Sequence, residues 1–417
     1  MTGTRACKWA SAAMLSAALA YSGAVTLAHA GADSGKLLDF TDAERHTILS
    51  HGPWPPPFTP DASNRVSGNP EAAALGQRLF FDERLSANGR VACVTCHAPP
   101  ALFTDRRKTS VGLSVVDRNA PSLVNARFSR WFGWDGGSDS LWAHSIRPLT
   151  DPREHGIALE HLAALLATDA ELSCRYKKVF GRGADSVSAE TASADAGKAL
   201  AAFQESLISI PARFDAFRDA LAQGDIETAA RYPEDAQRGL RIFVGKGNCS
   251  ICHVGPLFSN REFADTGIPF FLAPGKVDPG RYGGIVRVRQ DVFNQLGRHN
   301  DDPARAPGTA TRHVDLQQKN FGEWKVPSLR NVALTPPYMH NGSLATLRDV
   351  VKHYSGLDED RLHADGERIL RPLRLSEDET NDLIAFLETL TSPPPGLMME
   401  LLPTARARES CVATPSR

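Results

Sequence analysis

Methionine is scarce in this chain, with 5 among 417 residues. Met1 and Met14 stand at the front and Met398 and Met399 near the end, so Met339 is the one interior thioether. Cysteine is also sparse, with 7, which excludes a disulfide-dense scaffold. Neither sign of charge dominates: 47 Lys and Arg face 48 Asp and Glu, a formal net charge of −1. That balance excludes an electrostatic nucleic-acid binder. Beyond residue 30 no apolar run reaches the roughly 20 residues a membrane span needs. Long alternating apolar and polar stretches are lacking too, which excludes a sheet-dominated fold and predicts a mostly α chain.

The front of the chain reads as an export signal. Arg5 and Lys8 precede a small, apolar stretch over 12–27, and Ala28-His29-Ala30 forms a cleavage site. The competing reading, a membrane anchor, is weakened by Ser16, Ser22, Gly23 and Thr26 within the apolar stretch. The expected mature chain is a soluble protein with no membrane span after cleavage.

Four cysteines fall in two segments, Cys93-Val94-Thr95-Cys96-His97 and Cys249-Ser250-Ile251-Cys252-His253. C-x-x-C-H is the attachment signature of c-type haem: two thiols bond the porphyrin and the adjoining histidine becomes an iron ligand. A zinc ribbon needs its cysteine pairs within about 20 residues of each other, far closer than Cys96 is to Cys249. A thioredoxin-type dithiol does not need a histidine at the same offset twice. Two covalently bound haem c groups are therefore expected, and with them redox chemistry. Bacterial haem c is attached outside the cytoplasmic membrane, so the expected compartment is the periplasm. Cys7 leaves with the signal. Cys174 and Cys411 remain in a setting that permits a disulfide, but sequence does not give their separation.

The chain reads as a duplication. Residues 72–81 (AAALGQRLFF) and 236–243 (AQRGLRIF) are similar helical patterns, each followed by a loop and C-x-x-C-H. Its length is too great for one core and suits two domains. The expected fold is two cytochrome c-type haem domains in tandem with long loops. The expected divisions are a signal over 1–30, an N-terminal haem domain over 31–230, a C-terminal haem domain over 231–395 and a tail over 396–417. Helical patterns cover 159–176 and 196–221. Ser376 to Glu379 reads as a capping box opening a closing helix, which the prolines at 393–395 end. The tail is expected to wrap loosely. Residues 53–60 (PWPPPFTP) read as an extended arm.

Function turns on the far side of each iron. A haem with two strong ligands carries electrons, and one with an open position binds peroxide or dioxygen. Met339 is one candidate ligand. Leu347, Val350, Val351 and Tyr354 share a helical face, so Tyr354 is another. From spacing alone that phenol is either a ligand or a packed core tyrosine.

The segments LGQRLFFDERLS, CVTCH, SVGLSVVDRNAPSLVNARF, WDGG, CSICH and WKVPSLRNVALTPPYMHNG, with the closing helix, resemble the bacterial di-haem cytochrome c peroxidase and MauG family over nearly the whole mature length. The resemblance implies that Tyr354 stands where the peroxidases place a methionine ligand of the second haem and the MauG branch a tyrosine. It demotes Met339 to a pocket residue. In many peroxidases a histidine after an S-V-G segment caps the first haem. Here Leu113 follows Ser110-Val111-Gly112, so the first haem is expected to be open, with His144 or His155 as the alternative cap. Glu154 matches the distal glutamate and Pro148 another distal residue. His144 stands where the MauG branch commonly has glutamine. Trp134 matches the tryptophan between the haems. Asn119, Thr335 and Pro337 match positions around a calcium ion, which takes oxygen ligands. Taken alone, Glu154 reads as a surface charge and Trp134 as a packed turn residue. The surface tryptophan of MauG is absent, since Gly247 stands there, so maturation of methylamine dehydrogenase is not implied.

The expected activity is peroxide reduction of the cytochrome c peroxidase type, with electrons from a cytochrome c or a cupredoxin. The alternatives are a MauG-type enzyme that oxidises a protein or small substrate, and a non-enzymatic electron carrier.

Overall fold

The computed structural model describes residues 35–362, 369–393, 397–398 and 411, so the expected signal over 1–30 lies outside the described residues. The described chain is mostly helical, and its strands form three two-stranded ladders. Among the described residues no helix is long and apolar enough to cross a membrane.

The duplicated pattern folds the same way twice. The helix Pro70–Phe80 starts at Asn69, whose side chain accepts from the Glu71 and Ala72 amides, with Pro70 in the first position. Its apolar face lies on the helix Ala189–Glu205. A Cβ on Gly76 would stand 1.9 Å from the Ala199 carbonyl oxygen. In the second half the helix Glu234–Val244 crosses the helix Glu377–Glu388. There a Cβ on Gly239 would stand 1.9 Å from the Asp382 oxygen. Only glycine permits either approach, because the space a side chain needs is filled by the partner's backbone.

Three expected elements are corrected. Residues 159–176 are two helices, Leu159–Thr168 and Ala170–Phe180. Asp169 divides them, because its carboxylate accepts from the Leu172 amide and starts a new helix. Residues 196–221 are also interrupted: one helix ends at Glu205 and the next is Arg213–Gln223. Pro211 has no amide proton to continue the ladder of helical bonds. The closing helix begins at the Ser376 capping box as read, but it ends at Glu388, ahead of the prolines.

Of the expected tail only residues 397–398 and 411 are described. Leu397–Met398 pairs antiparallel with Ile208–Ser209. Cys411 forms a disulfide with Cys174, across a sequence separation of 237. The arm carries an anchor: Trp54 is buried, donates to the Ser209 carbonyl at 2.9 Å and lies 3.6 Å under the Arg330 guanidinium.

Two large apolar clusters form the core. One gathers Leu75, Leu79, Phe80, Tyr176, Leu200 and Phe203. The other gathers Phe214, Leu240, Phe243, Phe258 and Phe386, together with Phe40 and Ile48. A helix over Asp42–Ser50 brings the last of these in. It begins at a Thr41–Glu44 capping box that is legible in TDAE. Arg330 makes two 2.9 Å bonds to the buried Asp215 and donates to the Pro256 carbonyl, just after the second haem segment, at 2.6 Å.

Candidate functional site

Each C-x-x-C-H segment is a tight helical turn: Cys93–Cys96 in the first half and Cys249–Ile251 in the second. None of these four cysteines is in a disulfide. His97 follows the first turn, and its Nδ1 lies 2.9 Å from the Phe103 carbonyl oxygen. His253 follows the second, with Nδ1 2.9 Å from the Phe258 oxygen. A carbonyl only accepts, so Nδ1 carries the proton in both rings and Nε2 presents its lone pair. Burial lowers both histidines below their ordinary pKa, which favours the neutral, ligating form. Phe103 and Phe258 both hold a positive φ, 58° and 52°, which curls each loop back onto its histidine. The two sites thus use the same device, and their residues fit covalently attached haem.

One largely apolar cavity connects the halves. His253, Tyr354, Met339, Thr335, Pro337, Asn119, Trp134 and His144 all border it. Tyr354 comes from the helix Leu347–Ser355, whose Leu347 and Val351 are buried. Its hydroxyl makes no hydrogen bond among the described residues. Burial, with Cys249 and Cys252 nearby, pushes the phenol above its ordinary pKa. Trp134 is clamped between the halves. Its indole donates to the Asn119 carbonyl at 2.9 Å, and its own carbonyl accepts from the Lys325 amide at 2.8 Å. Asn119 also donates from Nδ2 to the Arg107 carbonyl at 2.7 Å, which leaves Oδ1 without a donor among the described residues.

Glu154 lies in the first half, close enough to Cys93 and Cys96 for its charge to act on them. Its carboxylate makes no hydrogen bond among the described residues. Burial raises its pKa, and Arg147 is the foremost charge opposing that rise. The loop that resembles the capping loop of the peroxidases rests on it: the Leu113 amide donates to the Glu154 carbonyl at 3.0 Å and the Ser114 amide to Arg153 at 2.9 Å. Of the two alternative caps, His155 is buried with Nδ1 2.8 Å from the Leu85 oxygen. His144 reaches Ser138 Oγ at 3.4 Å, and burial lowers it to about 3, so the ring is neutral. His144, Arg147 and Pro148 share one face of the helix Leu141–Thr150, while Trp142 and Ile146 are buried on it.

Sequence reading missed a knot of charge. Asp135 is fully buried and meets Arg118 at 2.7 Å, Arg287 at 2.5 Å and Arg147 at 3.9 Å. Lys325 is nearby, with a hydrogen bond to the Trp131 carbonyl at 3.4 Å, and burial lowers it to about 8. Arg118 also pairs with Asp278 at 2.7 Å. Cations outnumber carboxylates here, which suits a cofactor that brings carboxylates of its own, as haem does. The cations come from across the chain, so no local spacing announces them. Also missed was Trp324, stacked on His340 at 3.5 Å. Its indole nitrogen is buried and unpartnered, unlike that of Trp134. Among the described residues no group of three His, Cys, Asp or Glu is arranged to hold a metal ion.

Comparison with known proteins accounts for this arrangement. The profile of the family described as di-haem cytochrome c peroxidase matches residues 70–223. The methylamine utilization protein MauG of Methylorubrum extorquens is 33% identical over 336 residues, covering 80% of this chain and 82% of its own. The cytochrome-c peroxidase IdrP1 of Denitromonas iodatirespirans is 32% identical over 354 residues, covering 82% and 87%. A solved MauG-like protein associated with microbial copper homeostasis superposes with a TM-score of 0.61 at 26% identity, covering 85% of this chain and 98% of that one. The diheme peroxidase BthA of Burkholderia thailandensis shares the fold, with a TM-score of 0.62 at 24% identity, covering 86% and 92%. The chain belongs to the di-haem cytochrome c peroxidase family, oxidoreductases with two c-type haems.

Proposed function

We propose that this protein is a periplasmic hydrogen peroxide reductase that draws electrons from a small redox protein, a cytochrome c or a cupredoxin. The observation that carries the reading is the contrast between the two sites. A buried, unbonded carboxylate stands by the first and an unbonded phenol by the second. When bound, the haems supply an iron that takes peroxide and a second iron that stores and passes electrons.

The chain's own residues do the rest. His97 Nε2 is the ligand of the first iron, with Leu113 in place of a ligating side chain on the loop beside Glu154. Glu154 takes a proton from one peroxide oxygen and delivers it to the other, a relay its free oxygens permit. Pro148 borders the peroxide. Trp134 spans the halves and links the two centres electronically. His253 and Tyr354 hold the second iron. An anionic phenolate favours the ferric state and lowers the reduction potential relative to a thioether. Asn119 Oδ1 and the carbonyls of Thr335 and Pro337 are oxygen donors that fit calcium. The described cores support two haem-bearing units, with residues 37–50 and 213–223 assigned to the second.

A second reading, a MauG-type oxidation of a protein or small substrate, is favoured by Tyr354 itself. Steady-state turnover separates the two. The peroxidase oxidises two molecules of reduced cytochrome c or cupredoxin per peroxide. Failure to oxidise any such donor, with peroxide still consumed, supports the second reading. Two low-spin haems inert to peroxide would leave only a carrier.

A further inference from the structure

Arg147 is held differently from three other arginines of this protein. Arg118, Arg287 and Arg330 each grip a carboxylate at 2.5–2.9 Å. Arg147 reaches Asp135 only at 3.9 Å, although its side chain is just 25% exposed. Its guanidinium makes no hydrogen bond among the described residues, so five donors are uncommitted. The backbone fixes where they stand. A carbon placed on Gly133 would meet His144 Cε1 at 3.4 Å and Arg147 Nη1 at 3.5 Å. Both side chains therefore converge beside Trp134, on the helix face that also carries Pro148. Arg147 is also the foremost charge acting on Glu154.

We infer that Arg147 is a further catalytic residue of the peroxide site, donating hydrogen bonds to the outer oxygen of peroxide as the O–O bond breaks. The inference rests on the reading of the first haem as the open one. In the step, Glu154 takes the proton of the inner oxygen. The O–O electron pair leaves with the outer oxygen, which receives that proton and departs as water. Two electrons from the donor protein and two protons then release the second water. Negative charge builds on the outer oxygen before the proton arrives, and a fixed guanidinium stabilises it there. His144 is neutral and adds no competing charge.

Fluoride is a suitable probe, because it binds open ferric haem as an anion that accepts hydrogen bonds. The ferric holoprotein, Arg147→Leu and Arg147→Lys are titrated with fluoride by absorbance, and both haem potentials are measured for each. Arg147→Leu should weaken fluoride about tenfold or more, the worth of a charge-assisted hydrogen bond. It should lower kcat/KM for peroxide at least as much and leave both potentials in place, while Arg147→Lys should retain part of the affinity. If Arg147→Leu fails to load both haems, Arg147→Gln carries the same test. Unchanged fluoride affinity overturns the inference. So do shifted potentials with fluoride affinity intact, which assign Arg147 to a haem carboxylate instead. A wild-type protein that binds no fluoride refutes the open first haem, a separate failure from that of Arg147.

Discussion

At the scale of single residues, protonation decides what Glu154 can do. Burial raises its pKa above the ordinary 4.5, so it holds its proton to a higher pH than an exposed glutamate. The relay starts with the carboxylate empty. Activity should therefore be full above that raised pKa and fall as pH drops through it. Glu154→Gln should cost about a hundredfold in kcat/KM for peroxide and abolish this acidic limb. A variant that keeps both rate and limb excludes Glu154 from the relay. The haem attachment residues were legible because C-x-x-C-H is a local pattern. The roles proposed for Glu154 and Trp134 were not, since a glutamate in a charged turn and a tryptophan among glycines look ordinary until the family supplies a frame. The cations around Asp135 were illegible, because Arg118, Arg147, Arg287 and Lys325 meet only in three dimensions.

At the scale of elements, the two crossing helix pairs hold the haem segments in place. The helix Glu234–Val244 leads into the Cys249 turn, so its seat against the closing helix positions His253. Gly239→Ala puts a methyl 1.9 Å from the Asp382 oxygen and must push the helices apart. Overpacking of this kind costs about 1–3 kcal/mol, so the denaturation midpoint of the holoprotein in urea should fall. An unchanged midpoint would mean that the helices part without cost. Helix existence was readable from apolar periodicity and from caps such as Ser376. Helix ends were less so. Asp169 and Pro211 each broke a pattern whose periodicity runs on past them. The helix Asp42–Ser50 was not read from the sequence, although its capping box is plain in TDAE.

At the scale of the whole molecule, the chain's end returns to its first half. The disulfide between Cys174 and Cys411 spans a sequence separation of 237, and Leu397–Met398 pairs with Ile208–Ser209. A closure that long restricts the unfolded chain strongly. Cys411→Ser should cost about 3–5 kcal/mol and lower the melting temperature, with both haems still attached. A melting temperature equal to that of the wild type would mean the tether adds nothing. Sequence showed that these two cysteines were available but not that they meet. The repeat of helix and haem segment was visible in the sequence, whereas the packing of Phe40 and Ile48 into the cluster of Phe214 and Phe243 depends on contacts no pattern carries.

Peroxide turnover as proposed requires one iron to be open while the other is capped by Tyr354. Electron paramagnetic resonance of the ferric holoprotein, beside Tyr354→Met, tests this most directly. The wild type should show one high-spin and one low-spin ferric centre, the high-spin signal should change on adding peroxide, and only the low-spin signal should move in Tyr354→Met. Two low-spin centres untouched by peroxide, or a low-spin signal identical in both proteins, would contradict it.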